Sequence, residues 1–233
     1  MSNLKNKILS KSNQYNFYKD NYNKLLEENR ILKESLPDKN MFKSQLRGSS
    51  VDKGKIVFLN WLFNNVEKNE RILDVGFGSG TYGKLLKAFY YQNIDGIDAW
   101  PEEIEKMGLN YIYDNIFIED ILDFEFEHYD LIIMGDVLEH ITLKESKELL
   151  NKFINGKASK LFIQVPYMYE NHHAWNNNPY EIHHQDEINK EYMEREFPFL
   201  ELIDIQIVDH ELTALGRQTG QDTEFATYVW KKE

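Results

Sequence analysis

The residues of this sequence best suited to holding a small ligand are four glycines that follow an aspartate in the stretch RILDVGFGSGTYGKLL. Glycine is needed where the chain turns sharply and where a ligand approaches the backbone closely. Gly78, Gly80 and Gly83 form the G-x-G-x-x-G of dinucleotide-binding folds, whereas Gly76, Gly78 and Gly80 form a G-x-G-x-G. The two spacings predict different nucleotide-like ligands, and the residues around the glycines decide between them.

Three aspartates at the predicted ends of successive strands favour the second spacing. Asp74 lies two residues before Gly76, where a carboxylate would repel a pyrophosphate and attract a cationic ammonium group. Asp98 comes 20 residues after Gly78 and can accept hydrogen bonds from both hydroxyls of a ribose, a feature that NAD enzymes share. Asp120 follows the third predicted strand and can accept from an adenine amino group. Together these acids predict a pocket for a nucleoside with a positively charged amino-acid tail, which is S-adenosylmethionine.

The segment GDVLEHI, after the fourth predicted strand, carries residues suited to proton transfer. Methyl transfer from a sulfonium to an alcohol requires a positioned nucleophile and the removal of a proton. Histidine has an intrinsic pKa suited to a general base near neutrality, which makes His140 a candidate. Asp136 lies four residues earlier and is expected on the same face of the turn, with Glu139 between them. The alternative is that His140 is a structural histidine that caps the turn or packs beside the cofactor.

The segment after the fifth predicted strand, VPYMYENHHAWNNNPYEIHHQDE, is the richest in polar and aromatic side chains. Its aromatic rings offer flat apolar faces and its asparagines offer amides, a combination that suits a sugar. Its histidines and acids could instead bind a divalent metal that lowers the pKa of an acceptor. The H-H and E-x-H-H spacings match no standard metal signature, so no metal ligand is assigned. A third interpretation is a solvent-exposed loop with incidental histidines.

Alternating strands and helices are predicted to position these residues. Strands are expected at 71–75, 93–98, 115–119, 129–134 and 160–165. Helices are expected at 52–66, 81–90, 101–107 and 143–154, with Ile56, Leu59, Phe63 and Val66 on one face of the first. The alternation predicts an α/β fold with a doubly wound, mostly parallel sheet. Two further strands, in LELIDIQIVD and FATYVWKK, are expected to form an antiparallel hairpin at the sheet edge.

The first 45 residues are predicted to be separate from this sheet. A basic tail precedes a helical pattern from Tyr15 to Leu36, in which tyrosine and leucine recur at a and d positions and Asn29 occupies an a position. The pattern predicts a short coiled coil and a homodimer through this helix, or alternatively a helix that packs on its own domain. The predicted domains are therefore residues 1–45, the tail and helix, and residues 46–233, the ligand-binding domain.

Composition argues against several classes of protein. The 233 residues carry a net charge of −12, and the first 50 hold ten Lys and Arg against five Asp and Glu, so the remainder is strongly acidic and would repel a nucleic-acid backbone. No apolar run approaches the roughly 18 residues of a transmembrane helix, and the N-terminus lacks the apolar stretch of a signal peptide. The absence of cysteine excludes disulfides and a cysteine nucleophile. We therefore expect a cytoplasmic protein with a small-molecule substrate, no nucleic-acid partner and no membrane span.

Three motifs in this order resemble class I S-adenosylmethionine-dependent methyltransferases: LDVGFGSG, GIDAWPEEIE and YDLIIMGDVLEHI. The resemblance implies a seven-stranded sheet in the order 3-2-1-4-5-7-6, with the last strand antiparallel and an additional helix before residue 71. It also implies that Gly76, Gly78 and Gly80 wrap the amino-acid end of the cofactor and that Asp98 holds its ribose. The residues implied to border the adenine are Ala99, Trp100, Asp120 and Ile121.

The stretches TYGKLL, YDNIFIEDILDF, GDVLEH and NPYEIHH are further similar to methyltransferases encoded with bacterial surface-polysaccharide genes. This likeness implies O-methylation of a sugar or sugar-nucleotide-like intermediate of capsule or lipopolysaccharide biosynthesis. It favours His183, in NPYEIHH, as a catalytic candidate beside His140 and Asp136. In this interpretation Gly83 lies one turn into the helix after the glycine loop and allows helix and sheet to pack closely. The alternatives are a methyltransferase with another small acceptor (a nitrogen, a carboxylate or a quinone-like molecule), an NAD-dependent oxidoreductase, and a non-catalytic binding module.

Overall fold

Among the residues that the computed structural model describes, seven strands form one sheet in the order β3-β2-β1-β4-β5-β7-β6. The described residues are 54–174, 177–208 and 223–232, together with Lys24. The strands are β1 Ile72–Val75, β2 Ile94–Asp98, β3 Asn115–Ile118, β4 Tyr129–Gly135, β5 Ala158–Pro166, β6 Glu201–Val208 and β7 Thr223–Lys231. The helices from residue 54 onward are α1 Lys55–Asn65, α2 Thr81–Ala88, α3 Glu102–Lys106, α4 Leu143–Lys152 and α5 Lys190–Glu196. Short single-turn helices lie at Leu109–Tyr111, Leu138–His140 and Pro179–Glu181.

The first five strands run parallel, and the last two complete the sheet in antiparallel pairings. Strand β1 pairs with β2 on one side and with β4 on the other, so that Asp74 lies opposite Gly96 and Ile133. Strand β7 lies between β5 and β6 and is antiparallel to both. The predicted strand order and the predicted hairpin are confirmed. The carboxyl ends of β1, β2 and β4 consequently meet at one end of the sheet, where open α/β sheets bind their ligands.

Alternate side chains of the strands build one apolar layer on each face of the sheet. On one face, Ile72 packs in a cluster with side chains of α1, α2 and α3 that include Phe58. On the other face, Leu73 packs in a cluster with side chains of α4 and α5 that include Leu149 and Met193. A strand covered on both faces reads as a nearly continuous apolar run, which is why the central strands are visible in the sequence. The helices on both faces confirm the predicted doubly wound architecture.

The buried face of α1 differs from the predicted one. Phe58 and Trp61 are buried, together with Leu62, whereas Ile56 and Phe63 are 76% and 50% exposed. The prediction was wrong because apolar residues surround this helix, so that periodicity alone does not choose a face. The face that carries Phe58 contacts aromatic rings of α2 and β5 edge to face, at centroid distances of 4.9 Å. Such aromatic contacts add to the burial of area and favour this orientation.

Helix α5 was not predicted, because its sequence KEYMERE is mostly charged. The side chain of Met193, in this helix, is buried in the core. Asn189 caps the start of the helix by accepting a hydrogen bond from the backbone N–H of Tyr192 at 2.8 Å. None of the helices in the described part of the chain is long and apolar enough to cross a membrane.

The predicted tail, coiled-coil helix and following linker lie outside the described residues, apart from Lys24, which is helical. The division between residues 1–45 and 46–233, and a homodimer through the N-terminal helix, stay predictions.

Helix α2 approaches the sheet closely at Gly83. A Cβ atom at this position would lie 2.6 Å from three atoms of the Tyr113 side chain. The ring of Tyr113 also leaves little room for a side chain at Gly96 of β2, where a Cβ would lie 3.0 Å from the ring. The predicted close packing at Gly83 is confirmed, and its partner is Tyr113.

We expect Gly83→Ala to lower the free energy of unfolding by roughly 1–3 kcal/mol, because the added methyl group is forced into the Tyr113 ring. Urea unfolding measures this loss. In a Tyr113→Leu background the same alanine should cost clearly less, since the ring is gone. Unchanged stability of Gly83→Ala in the wild-type background would contradict the packing assignment.

Candidate functional site

The turn between β1 and α2 holds three glycines in the left-handed region of backbone space. Gly76, Gly78 and Gly80 have φ angles of 63°, 47° and 72°. Two of them also lack room for a side chain, because a Cβ at Gly76 would lie 2.7 Å from Val137 and one at Gly80 would lie 2.4 Å from Leu109. The turn therefore requires glycine at these positions. The backbone N–H groups of Gly76 and Gly80 donate to the carbonyls of Ile97 and Phe77, at 2.8 Å and 2.7 Å.

Asp74 is buried at the end of β1 and anchors the elements around the turn. Its Oδ2 atom accepts hydrogen bonds from the Tyr113 hydroxyl at 2.6 Å and from the backbone N–H of Gly83 at 3.1 Å. Its Oδ1 atom has no hydrogen-bond partner among the described residues. Burial raises the pKa of Asp74 to about 7, against the lowering effect of the two hydrogen bonds. The carboxyl group therefore has a structural role on one oxygen and is open to a further partner on the other.

Asp98, at the end of β2, closes the glycine turn onto the neighbouring strand. Its Oδ2 atom accepts from the backbone N–H of Gly78 and its Oδ1 atom from that of Trp100, both at 2.8 Å. Burial raises the pKa of Asp98, and the two backbone hydrogen bonds oppose this effect. Ala99 and Trp100 follow the carboxylate and are partly exposed. Each carboxylate oxygen has a second lone pair, so Asp98 can accept further hydrogen bonds from a ligand.

Asp120 and Ile121 follow β3, next to the end of β2. The backbone N–H of Glu119 donates to the carbonyl of Asp98 at 3.2 Å, which joins the two strand ends. Asp120 Oδ1 accepts from the backbone N–H of Leu122 at 2.9 Å, and Ile121 is buried in the core. The structure thus brings the predicted cofactor residues to one end of the sheet, on three neighbouring strands.

Asp136, directly after β4, is held in an unusual backbone conformation by Gln164 of β5. Its φ angle is 59°, and its backbone N–H donates to the carbonyl of Gln164 at 2.9 Å. Gln164 Nε2 donates to Asp136 Oδ1 at 3.3 Å, and Gln164 Oε1 accepts from the hydroxyl of Tyr82 at 2.9 Å. The ammonium group of Lys55 donates to the same hydroxyl at 3.0 Å. A buried polar network therefore connects the acceptor-side candidate Asp136 with α1 and α2.

Sequence reasoning did not identify Lys55, Tyr82 or Gln164 in this network. The one signal was Lys55, a charged residue that opens the otherwise apolar run KIVFLNWLF. The other two residues belong to elements whose apolar pattern explains them equally well as core residues.

His140 and His183, which are 43 positions apart in the sequence, form a pair. Their ring centroids are 4.7 Å apart and the ring planes are nearly perpendicular. His140 Nδ1 lies 3.4 Å from the carbonyl oxygen of Ile182, and His183 Nδ1 lies 2.9 Å from that of Tyr169. Burial, with the neighbouring imidazole of His183, lowers the pKa of His140 to about 4, so that this ring is neutral near pH 7.

A buried glutamine joins the two segments that carry this histidine pair. Gln185 Nε2 lies 2.6 Å and 2.7 Å from the carbonyl oxygens of Leu138 and Ile141, and 2.8 Å from the hydroxyl of Ser146. Gln185 Oε1 accepts from the hydroxyl of Tyr192 at 2.7 Å. The sequence analysis missed this positioning residue, because an isolated glutamine in a polar segment carries no signal.

The remaining histidines of the predicted acceptor segment do not join the pair. His172, His173 and His184 are exposed, and His172 lies 3.6 Å from Asp186. Trp175 lies outside the described residues. The predicted candidate His183 is thus the buried histidine among the described members of this segment.

A doubly wound sheet of this order, with a glycine turn after β1 and acids at the ends of β1 and β2 and after β3, defines a class I S-adenosylmethionine-dependent methyltransferase. The chain belongs to the methyltransferase-domain family, which matches residues 15–198. It is an enzyme of this family and uses S-adenosylmethionine. The predicted NAD-dependent and non-catalytic alternatives are thereby excluded.

The comparisons with individual proteins agree with this class. The structure is similar to the N-methyltransferase NodS from Bradyrhizobium japonicum WM9, with 14% identity, 84% of this chain and 100% of that chain covered, and a TM-score of 0.51. It is also similar to magnesium protoporphyrin IX methyltransferase from Synechocystis PCC 6803 with bound SAM, with 10% identity, 87% and 96% covered, and a TM-score of 0.53. The bifunctional kinase-methyltransferase WbdD matches at 18% identity, over 77% of this chain and 39% of that chain, with a TM-score of 0.53. These likenesses concern the fold.

A curated relative is carboxy-S-adenosyl-L-methionine synthase of Campylobacter fetus subsp. fetus (strain 82-40). It is 27% identical over 108 residues, which are 44% of this chain and 46% of the relative. The chain thus spans about half the length of the curated relative that it matches.

The raised pKa of Asp74 predicts a pH-dependent contribution to stability. Because the folded-state pKa of about 7 exceeds the unfolded value of 3.8, the folded protein binds the proton more tightly, and this contribution is lost as the pH rises towards 7. Relative to Asp74→Asn, the wild-type protein should lose roughly 2–3 kcal/mol of stability between pH 5 and pH 7. Urea unfolding of both proteins at each pH measures the difference. The exposed substitution Asp123→Asn is the control, and a pH-independent difference for Asp74→Asn would contradict the prediction.

Proposed function

We propose that this enzyme transfers the methyl group of S-adenosylmethionine to a hydroxyl of a sugar or a sugar-nucleotide-like acceptor, as a cytoplasmic step in bacterial surface glycan biosynthesis. The observation that carries the proposal is the contact between the ring of His140, which is partly buried in the segment after β4, and the buried ring of His183. An alcohol must lose a proton during methyl transfer, whereas many nitrogen and thiolate nucleophiles need no such help. Imidazoles are suited to that task near neutral pH.

The cofactor end of the site is assigned as follows. The amino-acid end of S-adenosylmethionine lies against the turn formed by Gly76, Gly78 and Gly80, where the absence of side chains allows a close approach, and Asp74 Oδ1 accepts from its ammonium group. Asp98 accepts from the ribose hydroxyls. The adenine lies between the residues after β2 and those after β3: Ala99, Trp100, Asp120 and Ile121. The hydrogen bond of Asp98 to Gly78 supports this assignment, because it fixes the ribose-binding carboxylate against the turn.

The residues after β4, which we assign to the acceptor, lie beside the glycine turn. Val137, next to Asp136, packs against the position of Gly76, so the residues after β4 border the glycine turn. An in-line displacement needs the acceptor on the far side of the methyl group from the sulfur, and we assign the segment after β4 to that side. In the proposed reaction the acceptor oxygen forms a bond to the methyl carbon, the sulfur keeps the electron pair, and one of Asp136, His140 and His183 accepts the hydroxyl proton.

Aromatic side chains around His183 support a sugar as the acceptor. The ring of Tyr169 contacts His183 at a centroid distance of 5.5 Å, and Tyr180 is 46% exposed. Such rings stack on the apolar faces of sugars. The asparagines have a different role from the predicted one, because Asn171 Nδ2 donates to the carbonyl of Glu181 and Asn178 Oδ1 accepts from the N–H of Tyr180. These amides hold the segment in place.

The acceptor class is tested by incubating the full chain with S-adenosylmethionine that carries a deuterated methyl group and with separate pools of acceptors. One pool contains nucleotide-sugars and phosphorylated sugars, and the other contains amines, carboxylic acids and quinols. Mass spectrometry detects the labelled methyl group, and NMR identifies the methylated atom. We expect label on a sugar oxygen, and transfer confined to the second pool would overturn the proposal.

Asp98→Ala should weaken the binding of S-adenosylmethionine by about 1.5–3 kcal/mol, because the charge-assisted hydrogen bonds to the ribose are lost. Isothermal titration calorimetry measures the change, and circular dichroism verifies that the variant is folded. Asp123→Ala, which removes an exposed carboxylate near the site, is the matched control. Equal affinities of the wild-type protein and Asp98→Ala would refute the ribose assignment.

His140→Gln and His183→Gln should each lower turnover by about a hundredfold or more, while the affinity for S-adenosylmethionine changes less than about twofold. The reason is that both imidazoles act on the acceptor and not on the cofactor. His184→Gln, an exposed neighbour, serves as the control. Wild-type rates in both variants would exclude the pair from the reaction.

A further inference from the structure

Three side chains of the acceptor region converge in a way that proton transfer alone does not explain. Glu139, His140 and His183 each offer one ligand atom, and these atoms all lie within 4.8 Å of one another. They come from two segments, the turn Leu138–His140 after β4 and the residues after Pro179–Glu181. Gln185 holds these two segments together through its hydrogen bonds to Leu138 and Ile141.

The carboxyl group of Glu139 lacks the partners that a buried polar group needs. Glu139 is 1% exposed, its Oε1 lies 4.0 Å from His140 Nε2, and its Oε2 has no hydrogen-bond partner among the described residues. A buried oxygen without a partner is unfavourable, because it has lost its hydrogen bonds to water. A bound cation would supply the missing partner.

The two imidazoles are oriented as metal ligands. A carbonyl oxygen only accepts hydrogen bonds, so the ring nitrogens that contact the carbonyls of Ile182 and Tyr169 carry the protons. In the neutral tautomers, Nδ1 is therefore protonated and Nε2 carries the lone pair in both rings. Histidines that bind metals typically donate their other ring N–H to a carbonyl or a carboxylate in this manner.

Asp186 adds a carboxylate behind one of these rings. Its Oδ1 lies 4.0 Å from His183 Nδ1 and is buried without a hydrogen-bond partner among the described residues. At this distance the carboxylate forms no hydrogen bond with the ring, but it adds a negative charge beside the proposed cation site.

We propose that Glu139, His140 and His183 bind one divalent first-row transition-metal cation, such as Mn²⁺, Co²⁺ or Zn²⁺, and that the acceptor hydroxyl completes its coordination. Two imidazoles with one carboxylate suit these ions, whereas Mg²⁺ and Ca²⁺ prefer sites made of oxygen alone. Three protein ligands leave positions open for substrate, as in catalytic metal sites. The sequence analysis assigned no metal ligand, because neither histidine spacing indicates a site that is assembled from two distant segments.

This metal site gives the proposed methyl transfer a more specific form, and its catalytic part rests on the proposed function. A metal ion lowers the pKa of a bound hydroxyl and holds the oxygen in a fixed position. With both histidines engaged as ligands, Asp136 is the candidate that accepts the hydroxyl proton. The oxygen then forms its bond to the methyl carbon as the bond from carbon to sulfur breaks, which yields the methyl ether and S-adenosylhomocysteine.

Metal binding is tested on the full chain, purified without a histidine tag and treated with a chelator. Titration with Co²⁺ is followed by its visible absorption spectrum, and titration with Mn²⁺ by electron paramagnetic resonance. Both titrations are independent of activity. We expect one ion per chain and, in a thermal melt, an increase of the melting temperature with metal concentration, because the ion binds the folded state.

The variants Glu139→Gln, His140→Gln and His183→Gln should each weaken metal binding by at least about a hundredfold. His184→Gln and His172→Gln, which change exposed imidazoles of the same region, should bind as the wild-type protein does. Retained affinity for S-adenosylmethionine shows that each variant is folded. The proposal is overturned if the wild-type protein binds no ion more tightly than Glu139→Gln does, or if only the control variants lose binding.

Metal binding and methyl transfer, measured on the same protein, distinguish the metal site from the proposed sugar acceptor. An ion that is bound at the three residues without any transfer to sugars supports the site and refutes the sugar acceptor. If the protein still transfers the methyl group to a sugar at the full rate after the metal is removed, the sugar acceptor is supported and the catalytic role of the ion is overturned. A rate that falls at least about tenfold on chelation and returns with Mn²⁺ or Co²⁺ supports both.

Discussion

The carboxyl group of Asp74 is the point on which the rest of the site depends. It lies at the end of the central strand β1. Its Oδ2 atom accepts hydrogen bonds from Gly83 of α2 and from Tyr113 of the segment before β3, and so joins these two elements. The Tyr113 ring fills the space that is left by the missing side chains of Gly83 and Gly96. Burying a carboxyl group is costly, and its raised pKa reflects this cost. The position is therefore best understood as a structural anchor of the glycine turn.

From this anchor, the two halves of the site are mechanically connected. The glycine turn packs on Val137, and the adjacent Asp136 is fixed by Gln164, which also bonds Tyr82 of α2. Helix α2 is thus in contact with the cofactor turn at its start and with the acceptor-side network through Tyr82. A side chain that shifts in this network changes the geometry of both the glycine turn and Asp136. In-line transfer tolerates little misplacement, which gives a physical reason for so many hydrogen bonds within one small region.

The sequence predicted the elements whose signal is local. The buried strands read as short apolar runs, and the glycines and acids mark their carboxyl ends, so the alternation of strands and helices could be predicted. The strand order was implied by the resemblance to class I methyltransferases. Contacts between distant segments have no such signal. The bond from Tyr113 to Asp74 spans 39 positions, and the contact of Gln185 with Leu138 spans 47. The buried face of α1 was predicted wrongly for a related reason, because the choice between Phe58 and Phe63 depends on the aromatic rings of other elements.

Two buried acids in this molecule differ in how completely the protein satisfies their hydrogen bonds. Asp95, in β2, is also buried, but its oxygens accept from Asn115 at 2.7 Å, from the Tyr129 hydroxyl at 3.0 Å and from Arg71 at 3.3 Å. That carboxylate is fully satisfied by the protein, as a structural buried acid must be. Glu139 is equally inaccessible, yet its Oε2 has no partner in the described part of the chain. The protein thus satisfies Asp95 and leaves one oxygen of Glu139 without a partner among the described residues, beside two imidazoles. The unpartnered oxygen lowers the stability of the fold at that place. Such a local loss is typical of a site that is completed by a ligand.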